Sequence, residues 1–465
     1  MQFYPLPGAA KLKDGGSSRR HVRKVLGSFL LALFCGTVVR GGEDSLFPIE
    51  MGKILFYPSV NFSYAHEDNV ERANADDPLR PVIASSVQDI LPMLRFEAPF
   101  RRSFTTLAYS AKFRDYGAGE LKNASGTSHY LDFTQQYQLT PSLRLNLQDN
   151  FLRGITELRE LDPGGELRFG VQPFRSNNAH AALSLEMGPI QSVEVAGSLS
   201  ATRFDETGQS GLIPNFRSEG LLARYSVAIG PSNRLFLAAD WQSASQGRRV
   251  VDIEPTDYRT HSVGLGLRRS AETGLTSELR VSYATIDFPE EGEEPFQGIT
   301  AEGDLGIKLG ATTHVALKLR RGPRPSFFNA SSFYLNEMVE IGYSQEIGQR
   351  LRMLLRVSGQ DNSYPEPVRV RVGSPDEEVY DQNPRDGVLD LYRYLVPSEG
   401  TRRRDHIRMG TVRFVYHVGR AMDLQLEYRR DRTRSNILAE NEGAEYKIFN
   451  YDYESLTTSL IVGWQ

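Results

Sequence analysis

Leu221-Leu222-Ala223-Arg224-Tyr225-Ser226-Val227-Ala228-Ile229-Gly230-Pro231-Ser232-Asn233-Arg234-Leu235-Phe236-Leu237-Ala238-Ala239-Asp240-Trp241 is the stretch on which the fold turns. Its odd-numbered positions, from Leu221 to Ile229 and again from Leu235 to Trp241, are apolar or small, and most even ones are polar or small. Side chains of a strand point alternately to opposite faces, so a period of two gathers the odd positions on one face. Gly230 to Arg234 is long enough only for a tight turn. The stretch therefore predicts two antiparallel strands sharing one apolar face.

Working outward, the same period recurs at Val60-Phe62-Tyr64, Leu107-Tyr109-Ala111-Phe113, Leu143-Leu145-Leu147 and Val263-Leu265-Leu267. It continues at Leu279-Val281-Tyr283, Val315-Leu317-Leu319, Val339-Ile341-Tyr343, Val412-Phe414-Tyr416-Val418 and Leu424-Leu426-Tyr428. No comparable stretch carries a helical period of 3.6. Short turns fall at residues 99–103, 140–142, 188–192, 230–234, 271–274, 310–312, 348–350 and 419–421. Long polar connections lie between them, near 66–85, 115–127, 153–174, 204–217, 244–257, 287–296, 321–333, 361–405 and 431–447. Eight short turns interleaved with nine long connections predict about 18 strands. Short turns on one rim and long loops on the other describe an up-and-down transmembrane barrel, closed so that no strand edge is left unpaired. A soluble sandwich has no reason to segregate its long loops in this way. The expected fold class is all-β, a single closed antiparallel transmembrane β-barrel over residues 53–465.

Composition agrees. Hydrophobic residues make up 40% of the 465, yet aromatics reach 10%, with 21 Tyr and 24 Phe, and mean hydropathy is −0.40. A barrel with an apolar outside and a wet inside averages to such values, whereas a disordered chain would lack the rings. Near the N-terminus, Lys11, Lys13, Arg19, Arg20, Arg23 and Lys24 precede the apolar run Val25 to Val39, then Gly41-Gly42. That layout predicts a signal peptide over residues 1–42, followed by a short periplasmic segment over 43–52. The one cysteine, Cys35, lies inside the apolar run, so the expected mature chain has neither disulfide nor thiol chemistry. The mature chain would also be acidic overall, which gives no support to nucleic-acid binding. The expected location is the outer membrane of a Gram-negative bacterium, among outer-membrane lipid and lipopolysaccharide.

With the apolar phase toward lipid, the alternate phase toward the lumen can be read directly. It places Arg95, Lys112, Arg114, Arg280, Lys318, Arg320, Arg352, Arg356, Arg413, Arg429, Glu278 and Glu340 along a pore. Acids in the same phase include Glu97, Asp132, Glu194, Asp240, Glu302, Asp304 and Glu427. Two readings stand: a field that selects solutes, or charges that pair across neighbouring strands and merely solvate the interior. Most strand aromatics, among them Tyr64, Phe113, Tyr225, Trp241, Tyr283, Tyr416 and Tyr428, fall in the lipid phase, and Tyr130 falls in the lumen phase.

No nucleophile motif, cofactor motif or metal cluster is expected, and no enzyme. Asp381-x-Asn383 hints at a calcium loop, but Arg385, Asp386 and Tyr392 occupy positions where a ligand, Gly and Glu belong. Glu290 to Glu294 reads as a solvated tip. The longest connection, Gln360 to Arg404, exceeds the length of an ordinary loop. It is expected to fold over or into the outer mouth, with Val368 to Val372 adding a short ribbon.

Tyr57-Pro58-Ser59-Val60-Asn61-Phe62-Ser63-Tyr64-Ala65-His66-Glu67-Asp68-Asn69-Val70 resembles the opening strand and first outer loop of the exopolysaccharide-associated barrels called putative β-barrel porin type 2. His129-Tyr130-Leu131-Asp132-Phe133 and Leu139-Thr140-Pro141-Ser142-Leu143 resemble that family's early hairpins. The resemblance implies an outer-membrane barrel with a role in polysaccharide export, in contact with polysaccharide or periplasmic export components. The C-terminal alternation Leu456-Thr458-Leu460-Val462-Trp464 resembles the signal that such barrels present to their assembly machinery, with Gln465 following the aromatic. The reading leaves two functions open: a channel or export barrel for hydrophilic solutes or surface polysaccharide, and a structural barrel whose loops bind an external or periplasmic partner. A plugged, energy-coupled receptor is not expected, because about 10 residues separate the signal from the first strand.

Overall fold

The computed structural model describes residues 48–70, 74–75, 82–155, 173–204, 215–246, 257–270, 274–289, 295–325, 333–367, 379–380, 391–395, 402–419, 421–436, 438–441, 444–446 and 450–463. The signal segment, the acidic tip at 290–294, the ribbon at 368–372, the residues around Asp381 and Asn383, and Trp464-Gln465 lie outside them.

Eighteen strands form one closed sheet. They are β1 (Ile54–Glu67), β2 (Ser85–Phe100), β3 (Ser103–Tyr116), β4 (Gly126–Gln138), β5 (Leu143–Ile155) and β6 (Pro173–Met187). Next come β7 (Gln191–Phe204), β8 (Phe216–Ala228), β9 (Asn233–Gln246), β10 (Tyr258–Arg269), β11 (Leu275–Asp287) and β12 (Phe296–Leu309). The last are β13 (Thr313–Pro325), β14 (Phe333–Ile347), β15 (Leu351–Pro367), β16 (Arg402–Gly419), β17 (Met422–Ser435) and β18 (Tyr451–Gly463). Each pairs antiparallel with its sequence neighbours, and β18 closes the ring on β1 with Val60 opposite Val462. Ile49–Met51 adds a small ribbon on the start of β1, inside the short segment over 43–52.

The opening stretch forms the β8–β9 hairpin, with Leu221 opposite Trp241 and Tyr225 opposite Leu237. Short turns and long connections fall on opposite rims as the sequence predicts. Gly188, Gly274, Gly310 and Gly348 supply tight turns with φ of +80°, +91°, +76° and +64°, a backbone region that Cβ-bearing residues avoid.

The odd positions of the hairpin point outward, and the apolar phase is the exposed one throughout. Leu107, Leu237, Val263, Leu265, Val281, Ile341 and Leu426 are all exposed, Leu265 to 69%. Exposed rings lie toward both ends of this band: Tyr137, Tyr225 and Tyr416 on the short-turn side, Tyr64, Trp241, Tyr283 and Tyr428 on the long-loop side. Val60 shares this phase but is only 3% exposed. It sits between Pro92 and Val462.

The strands run from 12 to 18 residues, longer than the about 9–11 needed to cross hydrocarbon. The surplus lies on the long-loop side. There the loop expected over Gln360–Arg404 begins later, because Gln360 to Ser363 still pair with Arg404 to Ile407. The described part of that connection is a ribbon of Val379–Tyr380 and Leu391–Leu395. It pairs through Tyr394 with Ala439 of the last long connection. A 3-10 turn, Gly119–Ala124, interrupts another long connection.

Candidate functional site: the inner wall

Contacts that skip strands can form only on the concave face of a barrel, and they identify the inner phase. Arg224 on β8 reaches Glu278 on β11 at 3.2 Å, and Arg280 on β11 pairs with Asp240 on β9. All twelve residues read from the sequence as candidate pore-lining groups carry this inward phase.

Most of them are paired. Arg95 meets Glu97, whose carboxylate also accepts from the Tyr57 hydroxyl. Arg114 holds Asp89 through Nε and Nη2 at 2.8 and 2.7 Å, with Lys112 at 3.9 Å. Arg352 meets Glu346 at 2.9 Å, Arg356 meets Glu340 at 3.7 Å, and Arg413 meets Glu427. Arg429 meets Asp431 at 3.2 Å. Lys318 faces Asp304 and Glu340 across the sheet, and Arg320 faces Glu302, yet neither makes an ion pair among the described residues. The sequence separates inward from outward charge; it cannot say which acid each base finds, because several partners lie two or three strands away.

The densest part of this network spans β7 to β11. Gly266 carries no side chain on the inner face, and the Phe236 ring fills the space; a Cβ at Gly266 would lie 2.0 Å from its Cζ. Arg224 then lies over Phe236 with Cζ 4.7 Å from the ring centroid, a cation–π contact. Its guanidinium bridges Glu278 at 3.2 Å and Glu194 at 4.0 Å. Arg268 donates to the other oxygen of Glu278 at 2.7 Å, and Arg280 joins Asp240 to the Ser262 hydroxyl. Three acids shared among three bases in this way leave little uncompensated charge on that sector.

At the long-loop end of β14 to β16 the wall is dry. Tyr334 and Tyr364 pack in a tilted pair with centroids 5.3 Å apart. Arg403 lies over Tyr364 at 4.6 Å and grips Asp405 through two donors at 3.1 and 2.7 Å. Asn336 donates to Asn362 at 2.9 Å, and Gln360 to the same oxygen at 3.1 Å. On β17 and β18, Asp431, Thr433, Tyr451 and Tyr453 face the same side and are equally buried.

These rings correct the expectation that aromatics avoid the inner phase. Besides Tyr130, it carries Tyr57, Tyr116, Phe174, Phe204, Phe236, Tyr258, Tyr334, Tyr364, Tyr451 and Tyr453. Many lie near the long-loop ends of strands, in stretches that read as loops. Beyond the hydrocarbon the wall no longer needs an apolar outside and a polar inside, so the hydropathy contrast that marks a strand fades or reverses there.

No family model matches the chain, and no curated protein matches it by sequence. Solved outer-membrane barrels do resemble it. The siderophore receptor PirA from Pseudomonas aeruginosa is 9% identical, with 88% of this chain and 80% of that one covered and a TM-score of 0.43. OccK2 (OpdF) from the same organism, solved with glucuronate, is 10% identical over 88% and 98%, with a TM-score of 0.44. The outer membrane protein opdK, also from Pseudomonas aeruginosa, is 12% identical over 88% and 99%, with a TM-score of 0.42. Likeness at this level carries no function across, so function is read from the chain's own side chains.

Proposed function

We propose that this chain is an outer-membrane channel for hydrophilic solutes that selects more by size and shape than by the sign of charge. The observation that carries the reading is the division of the wall. Its outside is an exposed apolar band with rings toward both ends, which water would not tolerate and a bilayer would. Its inside is polar, and its charges are compensated locally. Strands whose surplus length lies on the long-loop side fit an orientation with that rim outside the cell and the short turns in the periplasm. A barrel of about 16 to 18 strands is wide enough for an aqueous passage. A saccharide is a fitting solute, since the resemblance to exopolysaccharide-associated barrels points to one and the wall is polar with locally compensated charge. Insertion would depend on the assembly machinery and on a cleaved signal over residues 1–42.

The burial of Tyr334, Tyr364, Arg403 and Asp405 favours a second reading, a closed scaffold. Purified protein in planar bilayers separates the two. The channel reading expects discrete conductance steps and weak selectivity between potassium and chloride. Lys318→Glu combined with Arg320→Glu should move the reversal potential toward cation preference, because it leaves Glu302, Asp304 and Glu340 facing further acids with no base between them. Absence of steps from correctly inserted protein, or an unmoved reversal potential in the double variant, would overturn it.

A further inference from the structure

On the outer surface at the long-loop rim, β16 and β17 carry Arg404, His406 and Arg408 beside Arg430, Arg432 and Arg434, all in the outward phase. The register sets His406 opposite Arg434 and Arg408 opposite Arg432. Like charges directly opposite in a sheet are destabilising, so this arrangement needs a reason other than stability. Three carboxylates reach the group. Asp361 meets His406 at 2.8 Å and Arg408 at 3.4 Å. Glu454 meets Arg430 at 3.4 Å, and Asp452 meets Arg432 at 3.5 Å and Arg434 at 2.6 Å. Arg404 has no ion-pair partner among the described residues, so the five arginines outnumber the acids. A second basic row, Arg153, Arg175 and Arg203, stands in direct register across β5 to β7 on the same outward rim, but no outward glycine borders it among the described residues.

The patch begins where the apolar face ends, directly beyond Tyr428, Val412 and Phe414. Two outward positions at that border are glycines. The Arg408 guanidinium lies across Gly359, where a Cβ would stand 2.7 Å from its Nη1, while Gly410 has open space above it. Glycine in a strand interior weakens the strand; Gly359 seats the Arg408 guanidinium, and Gly410 leaves a bare position between hydrocarbon-facing residues and guanidinium groups. A ligand that fits must be anionic, rich in acceptor oxygens and anchored in the surrounding leaflet.

We infer that this β16–β17 patch binds the phosphate groups of an outer-leaflet glycolipid, with the sugar backbone over the bare position at Gly410 and the acyl chains along the band below. Arginine suits phosphate because its planar fork can donate two parallel hydrogen bonds. The inference rests on the outer-membrane reading above, and its test does not depend on conductance.

The probe is purified lipid A carrying both phosphates, titrated against the full-length barrel in neutral detergent, with enzymatically dephosphorylated lipid A alongside. Binding should favour the phosphorylated form at least tenfold and weaken with added salt. The triple variant Arg408→Gln, Arg430→Gln, Arg432→Gln should lose about tenfold or more, at roughly fivefold for each guanidinium near an anionic surface, reduced by the acids already present. Arg259→Gln, an outward arginine on β10 with Asp287 opposite, should change nothing. Equal binding of the two lipid forms by the unaltered protein overturns the assignment even if the triple variant fails to fold. Full affinity in a folded triple variant overturns it as well. A barrel that binds phosphorylated lipid A but shows no conductance would leave this site standing and remove only the channel.

Discussion

The Arg403–Asp405 pair offers the sharpest measure of how dry the long-loop end of the lumen is. Its side chains are 3% and 4% exposed, the contact is bidentate, and Tyr364 covers the guanidinium while its hydroxyl donates to the Asp405 carboxylate at 3.4 Å. Arg403→Met removes the cation and leaves a carboxylate with that one long hydrogen bond in a place water does not reach. Breaking a buried pair in this way costs about 3–5 kcal/mol. Replacing both groups, with Asp405→Leu added, should be close to neutral, because the desolvation of two charges largely offsets their attraction. The double-mutant cycle should therefore yield a coupling of at least about 3 kcal/mol, the loss of the single Arg403→Met variant plus whatever Asp405→Leu alone costs. Urea titration of the barrel folded into phospholipid vesicles, read by the retarded gel mobility of unfolded protein, gives each arm of the cycle. A loss below about 1 kcal/mol for Arg403→Met, with no coupling, would refute the reasoning. Values of that size belong to solvated ion pairs, and the lumen at β14 to β16 would then be open water.

Two further outcomes follow from packing and from closure. Gly266→Val places a Cβ 2.0 Å from Phe236 Cζ and 2.6 Å from the Leu279 carbonyl oxygen; it should cost about 1–3 kcal/mol by overpacking, and adding Phe236→Ala should recover only part, since the carbonyl cannot retreat. Full stability of the single variant in the same urea titration would contradict the described seat of the Phe236 ring. Removing residues 451–465 deletes the strand that pairs with both β17 and β1, leaving two unpaired edges that hydrocarbon does not accept; no heat-modifiable folded form should be recovered from the outer membrane, and normal insertion would contradict the closure.

The fold was legible because a hydrocarbon-facing wall imposes a strict period of two. Leu221, Tyr225, Leu237 and Trp241 announce their face without help from any distant contact, and the contrast between Gly230–Arg234 and the long polar stretches announces the rims. The same rule sorts Arg280, Glu278 or Arg413 to the inside. What stayed hidden is whatever depends on curvature or on the surplus length of the strands. Arg224 finds Glu278 only because the wall bends three strands toward one another, and nothing local to either residue records that. Tyr334, Gln360, Asn362 and Tyr364 do alternate, but with polar and aromatic groups on both faces, so they read as loop. The spacing Gln360-x-Asn362-x-Tyr364, set against Arg403-x-Asp405, is the signal that could have extended β15 and β16 to their observed ends.

The distribution of inner charge bears on selection in a way that a count of charges does not. Near-equal numbers of bases and acids could form two opposed fields across the lumen, which would orient and sort solutes strongly, or many short-range pairs, which would cancel within a few ångströms. The wall follows the second pattern, as with Arg114 and Asp89, Arg413 and Glu427, and Arg224 between two glutamates. Pairs at such distances act on a passing solute as dipoles, whose influence falls off faster than that of single charges, and counterions screen what remains beyond about 8 Å at physiological salt. In the proposed channel little is left for sorting by sign, since even Lys318 and Arg320 stand opposite Asp304, Glu340 and Glu302. Sorting by shape would then fall to the dry sector at β14 to β18, where tyrosines, amides and the Arg403–Asp405 pair form a close-packed surface.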